Sequence, residues 1–234
     1  MPSILIVDDE ELLRSMLVLN FENQGFKIFQ ADNGKTGLEL LQQHPEIDLV
    51  LSDIRMPLMD GIGMIQAYKK INNEVPIFMM MTGYSDLSPE EIYDFGANAL
   101  FQKPFNRGQI NEAVKAALAP KAMLWTQKPE YKEKTVLQEL NLKDMASLSL
   151  GRGGLFVPTK ERFPQVETPV NTNIHFENGE SMELTGLVRW VRKTATSQYP
   201  SGYGLEITYA DPESKARLLP QIQSSKYIPF IPKC

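Results

Sequence analysis

The first half of the chain alternates short apolar runs with longer stretches in which apolar residues recur at helical spacing. Five of the runs have the length of a strand, at residues 3–7, 26–30, 48–52, 76–81 and 99–102. Three of them are apolar almost throughout, which is typical of parallel strands that are covered on both faces. Helical stretches follow them at residues 10–24, 36–43, 62–71, 89–95 and 107–119. Five strands, each followed by a helix, predict a doubly wound, mostly parallel α/β sheet.

The helix expected over residues 89–95 carries the clearest start signal. Ser88 is suited to the N-cap and Pro89 to the first helical position, while Glu91 stands where a capping box needs it. These three residues predict that the helix begins directly after Ser88.

The hydrophobic period changes to two in the second half of the chain. Apolar and polar residues alternate between 182 and 190, and a similar alternation covers residues 203–209. The face expected to be buried in the first of these strands consists of Met182, Leu184, Gly186, Val188 and Trp190. A short helix is expected after Pro212. The pattern predicts a small antiparallel β-barrel or sandwich with a C-terminal helix.

Residues 120–134 separate the two patterns. This stretch contains two prolines, is rich in lysine and has weak periodicity, which is typical of a connector. We therefore expect two domains, at residues 1–119 and 135–234, joined by a linker or ordered arm at residues 120–134.

Charge is divided unevenly between the halves. Residues 1–120 carry 9 Lys and Arg against 17 Asp and Glu, a net charge of −8, whereas the remaining residues have a net charge of +3. The acidic half is a poor nucleic-acid surface and a good candidate for cation binding, and the basic excess of the second half is too small for a DNA-binding arm. No apolar run approaches the roughly 18–20 residues of a membrane span. We expect a cytoplasmic protein with no transmembrane segment and no DNA binding.

Charged and hydroxyl side chains follow four of the five predicted strands. Asp8 and Asp9 follow the first strand, Asp53 the third, Thr82 the fourth and Lys103 the fifth. Because the carboxyl ends of parallel strands meet at one edge of the sheet, these side chains are expected to converge. Carboxylates that lie close together repel each other and favour a bound cation. Oxygen ligands select a hard ion, and Mg²⁺ fits best.

These residues and their neighbours resemble the receiver domain of two-component response regulators over residues 1–119. The matching motifs are Asp8-Asp9, Asp53-Ile54-Arg55-Met56-Pro57-Leu58-Met59-Asp60-Gly61, Thr82-Gly83-Tyr84, Gly96-Ala97 and Lys103-Pro104-Phe105. The resemblance implies that Asp53 is the phosphoacceptor, whose carboxylate attacks phosphorus to form an acyl phosphate.

The same resemblance implies the remaining roles at this site. Asp8 and Asp9 would hold Mg²⁺ together with Asp53 and the main-chain carbonyl of Arg55. Lys103 would pair with the phosphoryl oxygens, and Thr82 would donate a hydrogen bond to one of them after phosphorylation. One residue departs from the family pattern, because Leu100 stands where an aromatic residue commonly moves inward with the threonine.

A receiver domain implies a sensor histidine kinase as the phosphodonor and a homodimer formed through the receiver as a further partner. Catalysis would then be limited to phosphoryl transfer to Asp53 and hydrolysis from it. The competing enzyme class is an aspartyl-phosphate hydrolase. That class needs a second aspartate two residues after the nucleophile, and this chain has Arg55 there.

Three stretches of the second half resemble the PilZ domain, a six-stranded barrel-like fold best known for binding cyclic di-GMP. They are residues 147–157 (SLSLGRGGLFV), 178–193 (NGESMELTGLVRWVRK) and 201–207 (SGYGLEI), and the resemblance covers about residues 125–225. Ligand binding in that family depends on an Arg-x-x-x-Arg segment before the barrel and on an Asp/Asn-x-Ser-x-x-Gly segment in the first strands.

Both ligand motifs differ in this chain. Lys128 and Lys132 have the spacing of the two arginines, and one residue more than in the family pattern separates Ser149 from the double glycine. Arg152, in the glycine-rich loop, is a candidate substitute. Arginine binds phosphate and guanine edges through its planar fork, which lysine lacks. We therefore expect an output domain that binds cyclic di-GMP weakly or not at all and acts through an unidentified protein. A receptor that combines phosphorylation with cyclic di-GMP binding is the alternative.

Overall fold

The computed structural model describes residues 1–72, 76–83, 87–88, 91–92, 95–119, 125–126, 135–150, 154–195 and 200–224. Two units divide the chain, Met1–Leu118 and Ala119–Lys233. Among the described residues, no helix has the length and apolar character needed to cross a bilayer.

A five-stranded parallel sheet forms the first unit, in the order β2-β1-β3-β4-β5. The strands are β1 (Ser3–Val7), β2 (Lys27–Ala31), β3 (Leu49–Asp53), β4 (Ile77–Thr82) and β5 (Ala99–Gln102). The helices are α1 (Glu11–Glu22), α2 (Gly34–Gln43), α3 (Gly61–Lys69) and α4 (Arg107–Leu118). The predicted doubly wound α/β fold is confirmed. Most of the helix predicted over residues 89–95 lies outside the described residues.

The apolar runs explain which strands are central. Every residue of β1, β3 and β4 is buried, as expected for strands that are covered on both faces, whereas β2 is exposed at two of its five positions. The helices bury only one side, which in α1 includes Leu17 and Phe21. The strand order reverses between β1 and β3, and the carboxyl ends of these strands form the crevice in which ligands of such sheets bind.

The capping interactions predicted around Ser88 are present. The Ser88 backbone N–H donates to Glu91 Oε2 at 2.8 Å, and the Glu91 N–H donates to Ser88 Oγ at 3.3 Å. This reciprocal pair is the capping box that the sequence predicts.

A six-stranded sheet in the order β6-β9-β10-β11-β8-β7 forms the second unit, followed by a helix. The elements are β6 (Val136–Leu142), β7 (Ser149–Leu150), β8 (Gly154–Pro158), β9 (Pro169–Phe176), β10 (Ser181–Arg192), β11 (Gly202–Ala210) and α5 (Pro212–Ser224). The curled sheet and its C-terminal helix confirm the predicted β architecture. One pairing differs from the prediction, because β6 runs parallel to β9, while the other strand pairs are antiparallel.

Trp190 is buried as predicted, but it lies on the opposite face of the sheet from Val188. Val188 lies opposite Leu205 of the hydrophobic core, but a register shift follows and places Trp190 opposite Gly204, which faces the other side of the sheet. There Trp190 stacks on Phe156 with ring centroids 5.6 Å apart. The shift is an irregularity of the β-bulge type, which moves the following side chains out of the simple alternation.

Candidate functional site

Three carboxylates meet at the carboxyl ends of β1 and β3. Asp8 and Asp9 directly follow β1, and Asp53 is the last residue of β3. Each offers one carboxylate oxygen to a group in which these atoms all lie within 4.8 Å of one another. Asp8 and Asp53 are buried, while Asp9 is exposed. The structure therefore brings together the three acids that the sequence analysis selected.

Backbone groups orient the two buried carboxylates. Asp53 Oδ1 accepts a hydrogen bond from the N–H of Ile54 at 2.8 Å, and Asp8 Oδ1 accepts one from the N–H of Glu10 at 2.9 Å. Because one oxygen of each carboxylate is held by the chain itself, the second oxygen of each is directed toward other groups of the site.

Lys103 lies between these second oxygens. Its Nζ donates to Asp8 Oδ2 and to Asp53 Oδ2, each at 3.0 Å, and lies 3.7 Å from Glu10 Oε1. Lys103 is the first residue after β5, and its peptide bond with Pro104 is cis. The ammonium therefore neutralises part of the charge that β1 and β3 bring together.

Burial and pairing act in opposite directions on the charged groups. Burial raises the pKa of Asp8, and this effect outweighs the hydrogen bonds from the Glu10 N–H and from Lys103, which lower it. Burial alone would lower the pKa of Lys103, but its hydrogen bonds to Asp53 and Asp8 more than offset this and raise the pKa above the ordinary lysine value. Lys103 is therefore a permanent cation at neutral pH.

Thr82 ends β4 beside this group. Its side-chain Oγ1 is buried and has no hydrogen-bond partner among the described atoms, while its carbonyl accepts the Lys103 N–H at 2.7 Å. A buried hydroxyl without a partner is costly, so Thr82 has a donor available for an acceptor that enters the site.

The loop between β3 and α3 is fixed at both ends. The Gly61 N–H donates to the Ile54 carbonyl at 2.8 Å, and the Gly34 N–H of α2 donates to the Met59 carbonyl at 2.9 Å. The Asp60 side chain caps α3 by accepting from the Gly63 N–H at 2.6 Å. Arg55, whose carbonyl is the predicted fourth metal ligand, lies in this loop with an exposed side chain.

Sequence reasoning missed two neighbours of the site. Arg14 of α1 donates from its guanidinium to the Asp8 carbonyl at 2.6 Å, and Glu10 contacts Lys103 as described above. Both residues lie within six positions of Asp8. Charged residues are common on helix surfaces, so an arginine or a glutamate near Asp8 does not by itself predict a contact with the site.

The residues present fit a divalent cation. Asp8, Asp9 and Asp53 supply only oxygen donors, and Lys103 offsets one of their three charges, so two negative charges are left for an incoming ion. A hard ion such as Mg²⁺ prefers these donors and keeps ligand positions for water and phosphate oxygens.

Three residues of the second unit are predicted to bind cyclic di-GMP. Lys128, Lys132 and Arg152 lie outside the described residues. Their roles therefore stay predictions.

Two family models match the chain, one in each half. The response regulator receiver domain matches residues 4–115, and the PilZ domain matches residues 139–223. The matched ranges contain all three carboxylates and Lys103 in the first case, and the strands from β7 to β11 in the second.

Known relatives align with the first half of the chain. Sporulation initiation phosphotransferase F of Bacillus subtilis is 38% identical over 120 residues, which are 51% of this chain and 95% of that protein. Regulatory protein AtoC of Escherichia coli is 40% identical over 122 residues, which are 51% of this chain and 26% of that protein. A probable transcriptional regulatory protein of Picosynechococcus is 33% identical over 122 residues, 49% of this chain and 48% of that protein. The chain thus spans about half or less of the length of the last two relatives.

Solved structures align with the same half. Response regulator protein TrrA from Thermotoga maritima, in complex with Mg²⁺ and BeF, is 30% identical with a TM-score of 0.46, covering 50% of this chain and 100% of that one. A response regulator receiver domain protein from Clostridium thermocellum is 25% identical with a TM-score of 0.49, covering 53% of this chain and 98% of that one.

Proposed function

The chain belongs to the response regulator receiver family and carries a PilZ domain after its receiver, and from this premise we propose that Mg²⁺-dependent phosphorylation of Asp53 switches the PilZ domain as an output module that acts through protein contacts. We take residues 1–119 as the receiver, 120–134 as the linker and 135–234 as the output domain. The phosphodonor would be a sensor histidine kinase in the cytoplasm, and a homodimer through the receiver and an output protein would be its further partners.

The observation that carries this proposal is the position of the Asp53 carboxylate. It is held by the Ile54 N–H and the Lys103 ammonium, beside Asp8 and the unpartnered Thr82 hydroxyl. An oxygen of Asp53 forms a bond to phosphorus, and the bond from phosphorus to the donor's leaving group breaks, so that the leaving group departs with the electron pair. A bound Mg²⁺ would supply neutralisation of the charge on the phosphoryl oxygens.

The chain's own residues account for the rest of the transfer. Lys103 can move from the carboxylate of Asp53 to a phosphoryl oxygen, since its ammonium has three donors and stays charged at neutral pH. Thr82 can donate to a second phosphoryl oxygen, which gives its buried hydroxyl a partner. Beyond this self-transfer and the later hydrolysis we propose no enzymatic activity.

Replacing Asp53 with asparagine should abolish phosphorylation of the full chain by acetyl phosphate and Mg²⁺, because an amide oxygen is a poor nucleophile toward phosphorus. Phos-tag electrophoresis separates the phosphorylated and unmodified forms, and light scattering of the same samples reports any dimerisation. Wild type is expected to shift in a Mg²⁺-dependent manner, and Asp53→Asn is expected not to shift.

Asp60→Asn is the matched control. Asp60 lies in the loop after Asp53 and caps α3 through a side-chain oxygen, a role that asparagine retains. This variant should be phosphorylated like wild type. A shift that persists in Asp53→Asn would contradict the proposal, and turnover of a phosphomonoester that is lost in Asp53→Asn would favour the hydrolase.

The match to the PilZ domain favours a second candidate, a receptor for cyclic di-GMP. Because lysines replace both arginines of the preceding segment, we expect calorimetric titration of the full chain with cyclic di-GMP to give no binding of micromolar affinity. Binding of micromolar affinity or tighter would overturn this expectation if it is lost in Lys128→Ala, Lys132→Ala or Arg152→Ala. It should then be retained in Lys160→Ala, which removes an exposed lysine of the same unit.

A further inference from the structure

Trp125 is inserted into the hydrophobic core of the second unit. It is 5% exposed and packs among the core residues of the β-sheet and α5. Its carbonyl accepts the Ala210 N–H at 3.2 Å, and Thr126 forms an antiparallel bridge with Tyr209. Among the described residues β8 pairs with β11 from Gly202 to Glu206, and Trp125 and Thr126 attach to β11 beyond this range. We call Trp125 and Thr126 the insert.

Two features oppose this insertion. Trp125 has a backbone φ of 56°, in the left-handed region that bulky residues rarely adopt. Its indole Nε1 is buried and has no hydrogen-bond acceptor among the described atoms. Burial of a large aromatic side chain favours insertion, while the backbone strain and the unsatisfied donor disfavour it. Insertion therefore has two costs, the backbone strain and the unsatisfied donor, that release of Trp125 would remove.

The insert follows the last helix of the receiver in the chain. Lys103, which binds both Asp53 and Asp8, is followed by α4, and α4 ends at Leu118. Six residues, 119–124, then lead to Trp125. Only residues 104–106 lie between Lys103 and α4, and α4 is the last element of the receiver before the insert.

Resting on the proposed function, we propose that the insert is the switch through which the receiver controls the second unit. Trp125 is inserted while Lys103 is hydrogen-bonded to Asp53 and Asp8. Phosphorylation of Asp53 draws Lys103 away and releases Trp125, which exposes the indole and frees the edge of β11 at Tyr209 and Ala210. The released indole gains water as a hydrogen-bond partner and its backbone leaves the strained region, so release relieves both opposing features.

Tryptophan fluorescence tests this proposal in the full chain. The chain has two tryptophans, so Trp190→Phe leaves Trp125 as the single emitter. Before phosphorylation we expect blue-shifted emission and weak quenching by acrylamide. After incubation with acetyl phosphate and Mg²⁺ we expect a red shift and a several-fold rise in the quenching constant. Asp53→Asn in the same background should show no change.

Two further measurements separate the outcomes. Trp125→Phe in the wild-type background leaves Trp190 as the only emitter, and its quenching should not respond to phosphorylation. If Trp190→Phe does not fold, the difference between wild type and Trp125→Phe gives the Trp125 signal. Phos-tag electrophoresis of the same samples reports the phosphorylated fraction. Full phosphorylation with unchanged Trp125 quenching would overturn the switch and leave the proposed function intact. No phosphorylation would overturn the proposed function, and the switch with it.

Discussion

Lys103→Gln is expected to strengthen Mg²⁺ binding and to weaken phosphorylation by acetyl phosphate. The two effects have opposite signs because the positive charge of Lys103 opposes the binding of Mg²⁺ but favours the transfer of the phosphoryl group. Its ammonium lies 3.0 Å from carboxylate oxygens of Asp8 and Asp53, where it competes with and repels an incoming cation. The same charge stabilises the anionic phosphoryl group as it is transferred to Asp53.

The size of the effect on Mg²⁺ binding follows from the distances between the charges, and the size of the effect on phosphorylation follows from the usual cost of losing one donor. At an effective dielectric constant of about 20, unit charges about 4 Å apart interact by roughly 4 kcal/mol, and solvent reduces this at a partly open site. We expect Mg²⁺ affinity, measured by calorimetry, to rise about tenfold once this competing charge is removed. We expect the initial rate of phosphorylation, measured by Phos-tag electrophoresis, to fall on the order of a hundredfold, as when one charge-stabilising donor is lost.

Lys115→Gln provides the matched control for this prediction. Lys115 is exposed on α4, so its replacement makes the same change in net charge away from the carboxylates. Both Mg²⁺ affinity and phosphorylation should stay close to wild type. Weaker Mg²⁺ binding in Lys103→Gln would contradict the competition, and an unchanged phosphorylation rate would contradict the role in phosphoryl transfer.

The convergence of the acidic site could be predicted because it depends on strand direction alone. Asp8, Asp53 and Thr82 each stand at the end of an apolar run, and parallel strands bring such ends to one edge. No knowledge of side-chain packing is needed for this step. The hydrogen bonds that orient each carboxylate, and the contact of Arg14 with the Asp8 carbonyl, depend on local geometry that the sequence pattern does not contain.

The second unit was less predictable because its pairings join distant parts of the chain. The parallel pairing of β6 with β9 has no local signal, since the strands are separated by β7 and β8. Trp190 follows the apolar period in the sequence, but the register shift against β11 turns it to the other face. A Cβ on Gly204 would meet the Trp190 indole, so the glycine opposite is what leaves room for this ring.

The burial of Trp125 likewise depends on contacts with a distant part of the chain. Trp125 lies in a lysine-rich stretch with weak periodicity, which predicts a connector. Its burial depends on Ala210 and the end of β11, more than eighty positions later in the chain. The only available sign was a short apolar run, residues 122–125, in an otherwise polar stretch, and such short runs are common on protein surfaces.

Gly61→Ala is expected to destabilise the receiver unit by about 3 kcal/mol, at the upper end of the usual cost of overpacking. Gly61 begins α3 directly beneath the end of β3, and its N–H donates to the Ile54 carbonyl at 2.8 Å. A Cβ at this position would clash with the Asp53 carbonyl oxygen, and would lie 2.6 Å from Met80 Cε and 3.0 Å from Ser52 Oγ. The methionine can adjust, but the backbone of Asp53 can move only by disturbing the pairing of β3 with β4, so the phosphoacceptor should also be misplaced and phosphorylated more slowly.

Hydrogen exchange in increasing urea, read by mass spectrometry, gives the opening free energy of β3 and of β10 in the same sample. We expect Gly61→Ala to lower the value for β3 and to leave that for β10 unchanged, because β10 belongs to the other unit. Gly63→Ala is the matched control in the same helix, since its Cβ would meet only side-chain atoms of Asp60 and Met59, at 3.1 and 3.5 Å. That variant should be neutral or more stable by up to about 1 kcal/mol, the difference in helix propensity between glycine and alanine. Equal opening free energies of β3 in Gly61→Ala and wild type would contradict this prediction. They would show that the close contact between Gly61 and the Asp53 carbonyl does not fix the position of the phosphoacceptor.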